Sequence, residues 1–100
     1  MYRLEENLFD WDSNKEMINI QKHGITFKEA ASAFLDENAL EADDTEHSQN
    51  EDRFLLIGRS RKLRLLVVCH CYRENNTVVR IISARKANNH EIETYGGVMT

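Results

Sequence analysis

The chain has 100 residues, of which 41% are hydrophobic and 30% charged, and it contains no proline. This length and balance exclude a disordered chain, and we expect residues 1–100 to form one globular domain with one core. The net charge of −4 combines two opposed parts: residues 1–52 carry four basic and fourteen acidic residues, and residues 53–90 carry nine basic residues and one acidic residue.

The N-terminal part predicts a short strand and a helix. An apolar strand at residues 8–11 is followed by Asp12, whose side chain can cap the amides of a helix over residues 13–22. His23 and Gly24 end that helix, because glycine readily accepts a left-handed conformation.

A second helix is predicted directly afterwards. Thr26 and Glu29 have the spacing of a capping box, in which each side chain accepts a hydrogen bond from the other residue's backbone. The apolar residues that follow recur on one helical face and are predicted to be core: Phe27, Ala30, Ala31, Phe34 and Leu35.

Residues 36–52 form an acidic segment with eight carboxylates. Ala39, Leu40 and Ala42 suggest a short edge strand within it, and the rest is predicted to be a loop. The carboxylates lack the spacing and the glycine of an EF-hand, so we predict no metal site here.

The basic part predicts three antiparallel strands in a meander. These strands cover residues 53–58, 63–73 and 77–84, and a tight basic turn at residues 59–62 joins the first two. Asn75-Asn76 provides the second turn, because asparagine tolerates positive φ. If those two residues form the loop, Cys71 lies opposite Arg80 and His70 opposite Ile81.

A final helix is predicted over residues 85–95, ending at Gly96-Gly97. The fold class is therefore α+β: two N-terminal helices packed on an antiparallel sheet of three to four strands, with a C-terminal helix.

The cellular compartment is indicated by the termini and the cysteines. The first residues, MYRLEENLFDW, are acidic where a secretory signal is apolar, and no window has the roughly 18 apolar residues of a membrane span. Cys69 and Cys71 lie on one face of a strand, about 6.6 Å apart, a geometry that strains a disulfide. We expect reduced thiols in a cytoplasmic protein.

The basic part indicates a polyanionic partner, although a solvated sheet face would show the same charges. Arg53, Arg80 and Arg85 are the arginines best anchored by element boundaries. Paired guanidinium hydrogen bonds from such residues can bind phosphate and stabilise a developing pentacoordinate dianion. Ion pairing with the acidic segment is the alternative for these arginines.

Two histidines could take part in chemistry. His23, beside Lys22 at a helix end, could act as a general acid or base, and a capping or packing role is the alternative. His70 lies between two cysteines, but on a strand it points away from both, and no second ligand pair completes a zinc site. We predict neither metal nor cofactor.

No phosphate loop, nucleophile elbow or HExxH motif is present. Metal-independent RNA cleavage fits these residues, because the RNA 2′-hydroxyl is itself the nucleophile. The protein then has only to bind the phosphate, align the reacting groups and give modest acid/base help. DNA or protein binding would fit the same charges.

Three ordered blocks resemble the BrnT family of bacterial toxins. The first consists of Phe9-Asp10-Trp11-Asp12, Lys15, Asn19, Lys22-His23-Gly24-Ile25, Phe27 and Glu29-Ala30; the second of Glu51-Asp52-Arg53-Phe54 with Ile57-Gly58; the third runs from Arg80 to Ala87. The resemblance implies a RelE-like fold and a toxin of a type II toxin–antitoxin pair that cleaves RNA and inhibits translation. It also implies a BrnA-like antitoxin with a ribbon-helix-helix DNA-binding domain, through which alone the complex would bind operator DNA.

Roles are assigned by chemistry within that frame. The predicted catalytic residues are His23, Arg53, Arg80 and Arg85, and Glu51 is a weaker candidate base. The predicted RNA-binding residues are Lys22, Arg59, Arg61, Lys62, Arg64 and Lys86. A module that only binds RNA, the ribosome or the antitoxin remains the alternative.

Overall fold

The computed structural model describes residues 1–97, which contain six strands and three α-helices. In chain order the elements are β1 (Tyr2–Leu4), β2 (Asn7–Trp11), α1 (Ser13–His23), α2 (Phe27–Ser32), β3 (Leu40–Asp43), β4 (Phe54–Arg59), β5 (Leu65–Arg73), β6 (Val78–Lys86) and α3 (Asn89–Gly96). Short 3-10 turns occupy Ala33–Leu35 and Thr45–His47. None of the described helices is long and apolar enough to cross a membrane.

The strands form one mixed sheet in the order β1-β2-β6-β5-β4-β3. The α+β class is confirmed, but the prediction of three to four antiparallel strands is wrong, since β2 runs parallel to β6. β1 has only three residues and follows no alternating pattern. The parallel pair joins Leu8 to Val78, a contact between distant parts of the chain that local periodicity does not reveal.

The first helix begins and ends where the sequence predicts. Asp12 accepts hydrogen bonds from the backbone N–H groups of Asn14 and Lys15 at 2.8 and 3.3 Å. Gly24 ends the helix with φ of 68°. Because side chains other than glycine are strained there, this position explains the residue type.

Only half of the predicted capping box on α2 forms. Thr26 Oγ1 accepts the backbone N–H of Glu29 at 3.1 Å, but the Glu29 side chain turns toward Ser60 and Arg64 instead of the cap. The Glu29 carboxylate therefore binds Arg64, which is distant in sequence, instead of completing the capping box.

The predicted start of the last helix, at Arg85, is wrong. Strand β6 continues to Lys86 because its last residues pair with β5, and the Ala87 N–H donates to the Leu65 carbonyl at 3.0 Å. Asn88 then forms a complete capping box with Glu91, and α3 starts at Asn89, separated from the strand by two residues. Arg85 is therefore a strand residue.

The core lies between the sheet and the first two helices, which pack across β6. Phe27 of α2 and Ile81 of β6 are buried there, together with Phe9 and Leu66 from the neighbouring strands. The register prediction that places His70 opposite Ile81 and Cys71 opposite Arg80 is confirmed.

Helix α1 covers an open edge of β6. The chain leaves β2 after Trp11, so within residues 1–97 the second half of β6 has no strand on that side. Asn19, 4% exposed, replaces it: Oδ1 accepts the Ala84 N–H at 2.9 Å, and Nδ2 donates to the Ile25 carbonyl at 3.0 Å. This places the end of α1 beside Ile82 and Ser83.

Candidate active site

Three residues of β6 lie on the face of the sheet opposite the core. Arg80, Ser83 and Arg85 pair with alternate residues of β5, so their side chains point to one side of the sheet, opposite to core residues such as Ile81. The register shift between His70 and Cys69 leaves Ile82 as the extra residue of a bulge. Such irregularities redirect side chains at the surface of a sheet.

Part of that surface is a groove of about 260 Å³, which we call the open-face groove. It brings together Arg53 and Arg85, two of the predicted catalytic residues, and the exposed Ser83. The full set of lining residues is Asp44, Glu46, His47, Arg53, Leu55, Cys69, Ile82, Ser83 and Arg85.

Arg53 is fixed by its backbone while its side chain keeps a free donor. Its N–H donates to Ser48 Oγ at 2.9 Å, and its carbonyl accepts the Asp44 N–H at 2.8 Å. Its Nε is buried and has no hydrogen-bond partner within residues 1–97; Glu51 Oε1 is 3.9 Å away. A buried donor without a hydrogen-bond partner costs free energy, so an acceptor that reached this nitrogen would offset that cost.

Arg85 is held by helix α3. Its two terminal nitrogens donate to the two carboxylate oxygens of Glu91 at 2.7 and 2.8 Å, and this guanidinium lowers the pKa of Glu91. The Arg85 side chain is still 41% exposed. The ion pair therefore orients the guanidinium and leaves part of it open to the groove.

Arg80 is also ion-paired, but outside the open-face groove. Its Nη1 lies 2.5 Å from Asp10 Oδ2 on β2, and both side chains are about one-third exposed. Arg80 shares the face of Ser83 and Arg85 without lining the groove.

The predicted pair Lys22 and His23 lines a second groove, also of about 260 Å³, between α1 and β6. Ile82 and Ser83 line both grooves. We call this second one the helix-side groove. The two arginines and the pair Lys22 and His23 therefore line separate grooves that share Ile82 and Ser83.

Four of the six predicted RNA-binding residues lie at the β4–β5 turn, whereas Lys22 lies on α1 and Lys86 ends β6. Arg61, Lys62 and Lys86 are exposed, and Arg59 lies over the Tyr95 ring at 5.7 Å. Arg64 is committed to Glu29, to which Nε donates at 2.9 Å, and Nη2 donates to the Gly24 carbonyl at 3.3 Å. That contact places the basic turn beside the end of α1.

Glu51, the weaker candidate base, is engaged elsewhere. It accepts a hydrogen bond from Arg73 Nη1 at 2.6 Å, and this bond lowers the pKa of Glu51. A carboxyl group with a lowered pKa is a poor proton acceptor near neutral pH.

The cysteines and His70 do not supply reactive groups to the site. Cys69 and Cys71 are free and buried, and burial raises the pKa of the Cys69 thiol to about 11. His70 is fully buried on the opposite face, where its Nε2 lies 2.6 Å from Glu41 Oε2. Neither thiolate nor imidazole chemistry is therefore accessible at these positions.

Sequence reasoning missed His47. This exposed residue lies in the acidic segment and lines the open-face groove, with Nδ1 2.9 Å from Asp44 Oδ2. The signal that could have found it is the Asp-x-x-His spacing, which places the two side chains on one side of a helical turn.

A larger concavity of about 580 Å³ does not suit a polyanion. It is lined by Glu41, Glu51 and Asp52 together with Phe54, Cys71, Tyr72 and Asn76. Three carboxylates without an arginine would repel phosphate, so size does not select the site.

A family model described as the ribonuclease toxin BrnT of type II toxin–antitoxin systems matches residues 11–91. The chain belongs to this BrnT family. As its sequence resemblance implied, it is a ribonuclease toxin of a type II toxin–antitoxin system.

Its fold is similar to that of a solved BrnT. The crystal structure of the Brucella abortus ribonuclease toxin BrnT matches with a TM-score of 0.63 and 24% sequence identity, covering 83% of this chain and 99% of that one. No curated protein sequence matches the chain. Membership of a type II family implies an antitoxin partner.

Proposed function

We propose that this BrnT-family chain, acting as one domain, cleaves RNA in the open-face groove by attack of a 2′-hydroxyl on the adjacent phosphate. The observation that carries the proposal is the convergence of Arg53 and Arg85 on one groove, with the Arg53 Nε making no hydrogen bond within residues 1–97. Guanidinium donors fixed before the reaction stabilise the negative charge that develops on phosphate oxygens.

The reaction requires no metal in this proposal. The RNA 2′-hydroxyl is the nucleophile, and holding it in line with the phosphate accounts for much of the rate increase. The products are a 2′,3′-cyclic phosphate and a 5′-hydroxyl. The chain's contribution is charge stabilisation, alignment and proton transfer.

The remaining predicted residues extend the site on both sides. His23, in the helix-side groove, gives a proton to the leaving 5′ oxygen, and Arg80 binds a phosphate next to the scissile one. The RNA backbone continues over the basic residues beside the end of α1: Lys22, Arg59, Arg61, Lys62, Arg64 and Lys86.

The partner proposed for this toxin is a BrnA-like antitoxin with a ribbon-helix-helix domain, in the cytoplasm. The resemblance of the three sequence blocks supports this partner. Operator DNA is bound only through that domain, and RNA, free or on the ribosome, is the toxin's substrate.

A second candidate function is binding without catalysis. The observation that favours it is that Arg80 and Arg85 each have a carboxylate partner, Asp10 and Glu91, within the chain. These arginines would then hold the fold and present a basic surface to RNA, the ribosome or the antitoxin.

Cleavage of RNA by purified protein separates the two functions. With a labelled oligonucleotide, Arg53→Ala and Arg85→Ala should each lower the single-turnover rate by about 100-fold, because each removes a donor to the transition state. Arg3→Ala, which removes an exposed arginine on β1, is the control and should leave the rate unchanged.

Circular dichroism spectra and melting temperatures verify that each variant is folded. If the folded Arg53→Ala and Arg85→Ala variants cleave as fast as the parent, the groove is not the site. If the parent binds RNA without cutting it, with or without ribosomes, the binding function replaces the enzymatic one.

A further inference from the structure

The segment between β3 and β4 carries a histidine–aspartate pair at the mouth of the open-face groove. His47 Nδ1 lies 2.9 and 3.1 Å from the two carboxylate oxygens of Asp44. Asp44 is 7% exposed, whereas the His47 side chain is 62% exposed. A buried carboxylate thus holds one side of an imidazole whose other side is open to solvent.

The pair is tied to Arg53 by a small hydrogen-bond network. Ser48 Oγ donates to the Asp44 carbonyl at 2.7 Å and accepts the Arg53 N–H at 2.9 Å, and the Asp44 N–H donates to the Arg53 carbonyl at 2.8 Å. These bonds fix the loop that carries His47 relative to the arginine proposed to bind phosphate. The loop is therefore built as part of the groove.

The carboxylate also decides which ring nitrogen can take a proton. Because Asp44 accepts a hydrogen bond from Nδ1–H, the neutral imidazole keeps its lone pair on Nε2. A carboxylate bound at Nδ1 also holds the imidazole ring in one orientation. This arrangement is suited to a general base.

From this geometry we infer that His47 is the general base of the RNA cleavage proposed above, with Asp44 as its positioning residue. The inference rests on that proposed function and names a residue that it lacks. His47 Nε2 takes the proton of the 2′-hydroxyl while the 2′ oxygen forms its bond to phosphorus.

Cleavage is completed on the 5′ side of the phosphate. The bond from phosphorus to the 5′ oxygen breaks, and that oxygen receives a proton from His23, in the role proposed above. His47 afterwards loses its proton to solvent and His23 regains one, so the enzyme is unchanged and no oxidant or metal is consumed.

Other charged and titratable groups face the groove and influence its pH dependence. They are the carboxylates Asp44, Glu46 and Glu51, the cations Arg53 and Arg85, and the Cys69 thiol. The experiment therefore compares the pH–rate profiles of single variants with that of the parent protein.

The experiment measures single-turnover cleavage of an RNA oligonucleotide from pH 5 to 9. His47→Ala should lower the maximal rate by about 100-fold or more, the usual contribution of a general base, and should remove the rise in rate on the acidic side. Added imidazole should restore part of the His47→Ala rate, which a structural role would not permit. Asp44→Asn should alter the pH profile while leaving RNA binding intact.

His90→Ala, at an exposed histidine on α3, is the matched control and should cleave like the parent. Binding of a 2′-deoxy analogue should be the same for the parent and His47→Ala. The inference is overturned if folded His47→Ala keeps the parent's rate and profile, or if imidazole fails to rescue it. In either case, continued loss of cleavage in Arg53→Ala preserves the proposed function; a parent that cuts no RNA overturns that function itself.

Discussion

Substitution of Arg64 by alanine should destabilise the fold rather than only weaken RNA binding. The Glu29 carboxylate, on a side chain 3% exposed, accepts hydrogen bonds from Arg64 and from Ser60 Oγ, the latter at 2.7 Å. Arg64 donates to both Glu29 oxygens and also to the Gly24 carbonyl. One guanidinium therefore joins the β4–β5 turn to α2 and to the end of α1.

The magnitude follows from the charge that the substitution leaves behind. Removing one partner of a fully buried ion pair costs about 3–5 kcal/mol, and the 30% exposure of the Arg64 side chain lets water replace part of that interaction. We expect a loss of about 2 kcal/mol in the free energy of unfolding. For a domain of this size that corresponds to a melting temperature lower by about 10 °C.

Thermal and urea denaturation of Arg64→Ala, beside Arg61→Ala, measures this effect. Arg61 is an exposed arginine of the same turn whose side chain has no partner within residues 1–97, so its removal should change stability by less than about 0.5 kcal/mol. If Arg64→Ala melts like the parent but loses RNA affinity, Arg64 binds RNA and does not stabilise the fold.

Hydrogen bonds from Arg64 lower the pKa of Glu29 from its ordinary 4.5, so the ionised Glu29 stabilises the folded state above pH 4.5 and this stabilisation is lost as pH falls through the lowered pKa. Glu29→Gln should therefore flatten the acid side of a plot of unfolding free energy against pH. An unchanged acid side would contradict this. Cys69, with its pKa near 11, should react with iodoacetamide at pH 8 at least tenfold more slowly than a free thiol, and fast labelling of the native protein would contradict its burial. Replacing Asp43 and Glu46 by asparagine and glutamine should raise non-specific RNA affinity at low salt, measured by fluorescence anisotropy; an unchanged affinity would show that the acidic segment does not repel RNA.

The parts of the fold set by local chemistry were predictable. The Asp12 cap, the Gly24 end of α1 and the register of β5 with β6 each depend on neighbouring residues or one hairpin turn. The parallel pairing of β2 with β6 was not predictable, because it joins segments about 70 positions apart in the chain. The end of β6 was misjudged because pairing with β5 overrides the helical preference of Arg85 and Lys86.

The candidate site was also only partly predictable from the sequence. Basic residues on strands predicted a phosphate-binding face; the structure brings Arg53 and Arg85 to one groove, and phosphate binding there stays a prediction. Charge pattern could not show that Arg64 is bound to Glu29, since 34 residues separate the two in the sequence. His47 was missed because its role depends on the loop that brings Asp44 and Arg53 together, and that loop is made by contacts to Ser48.

Metal-independent RNA cleavage through the 2′-hydroxyl is tested most directly by incubating an RNA oligonucleotide with the purified chain, or with Arg53→Ala, in the presence of EDTA. We expect the parent to leave a 2′,3′-cyclic phosphate and a 5′-hydroxyl, one 2′-deoxy substitution at the cut position to abolish cleavage there, and Arg53→Ala to be about 100-fold slower. Cleavage that persists at the deoxy position, or that requires added metal, would contradict it.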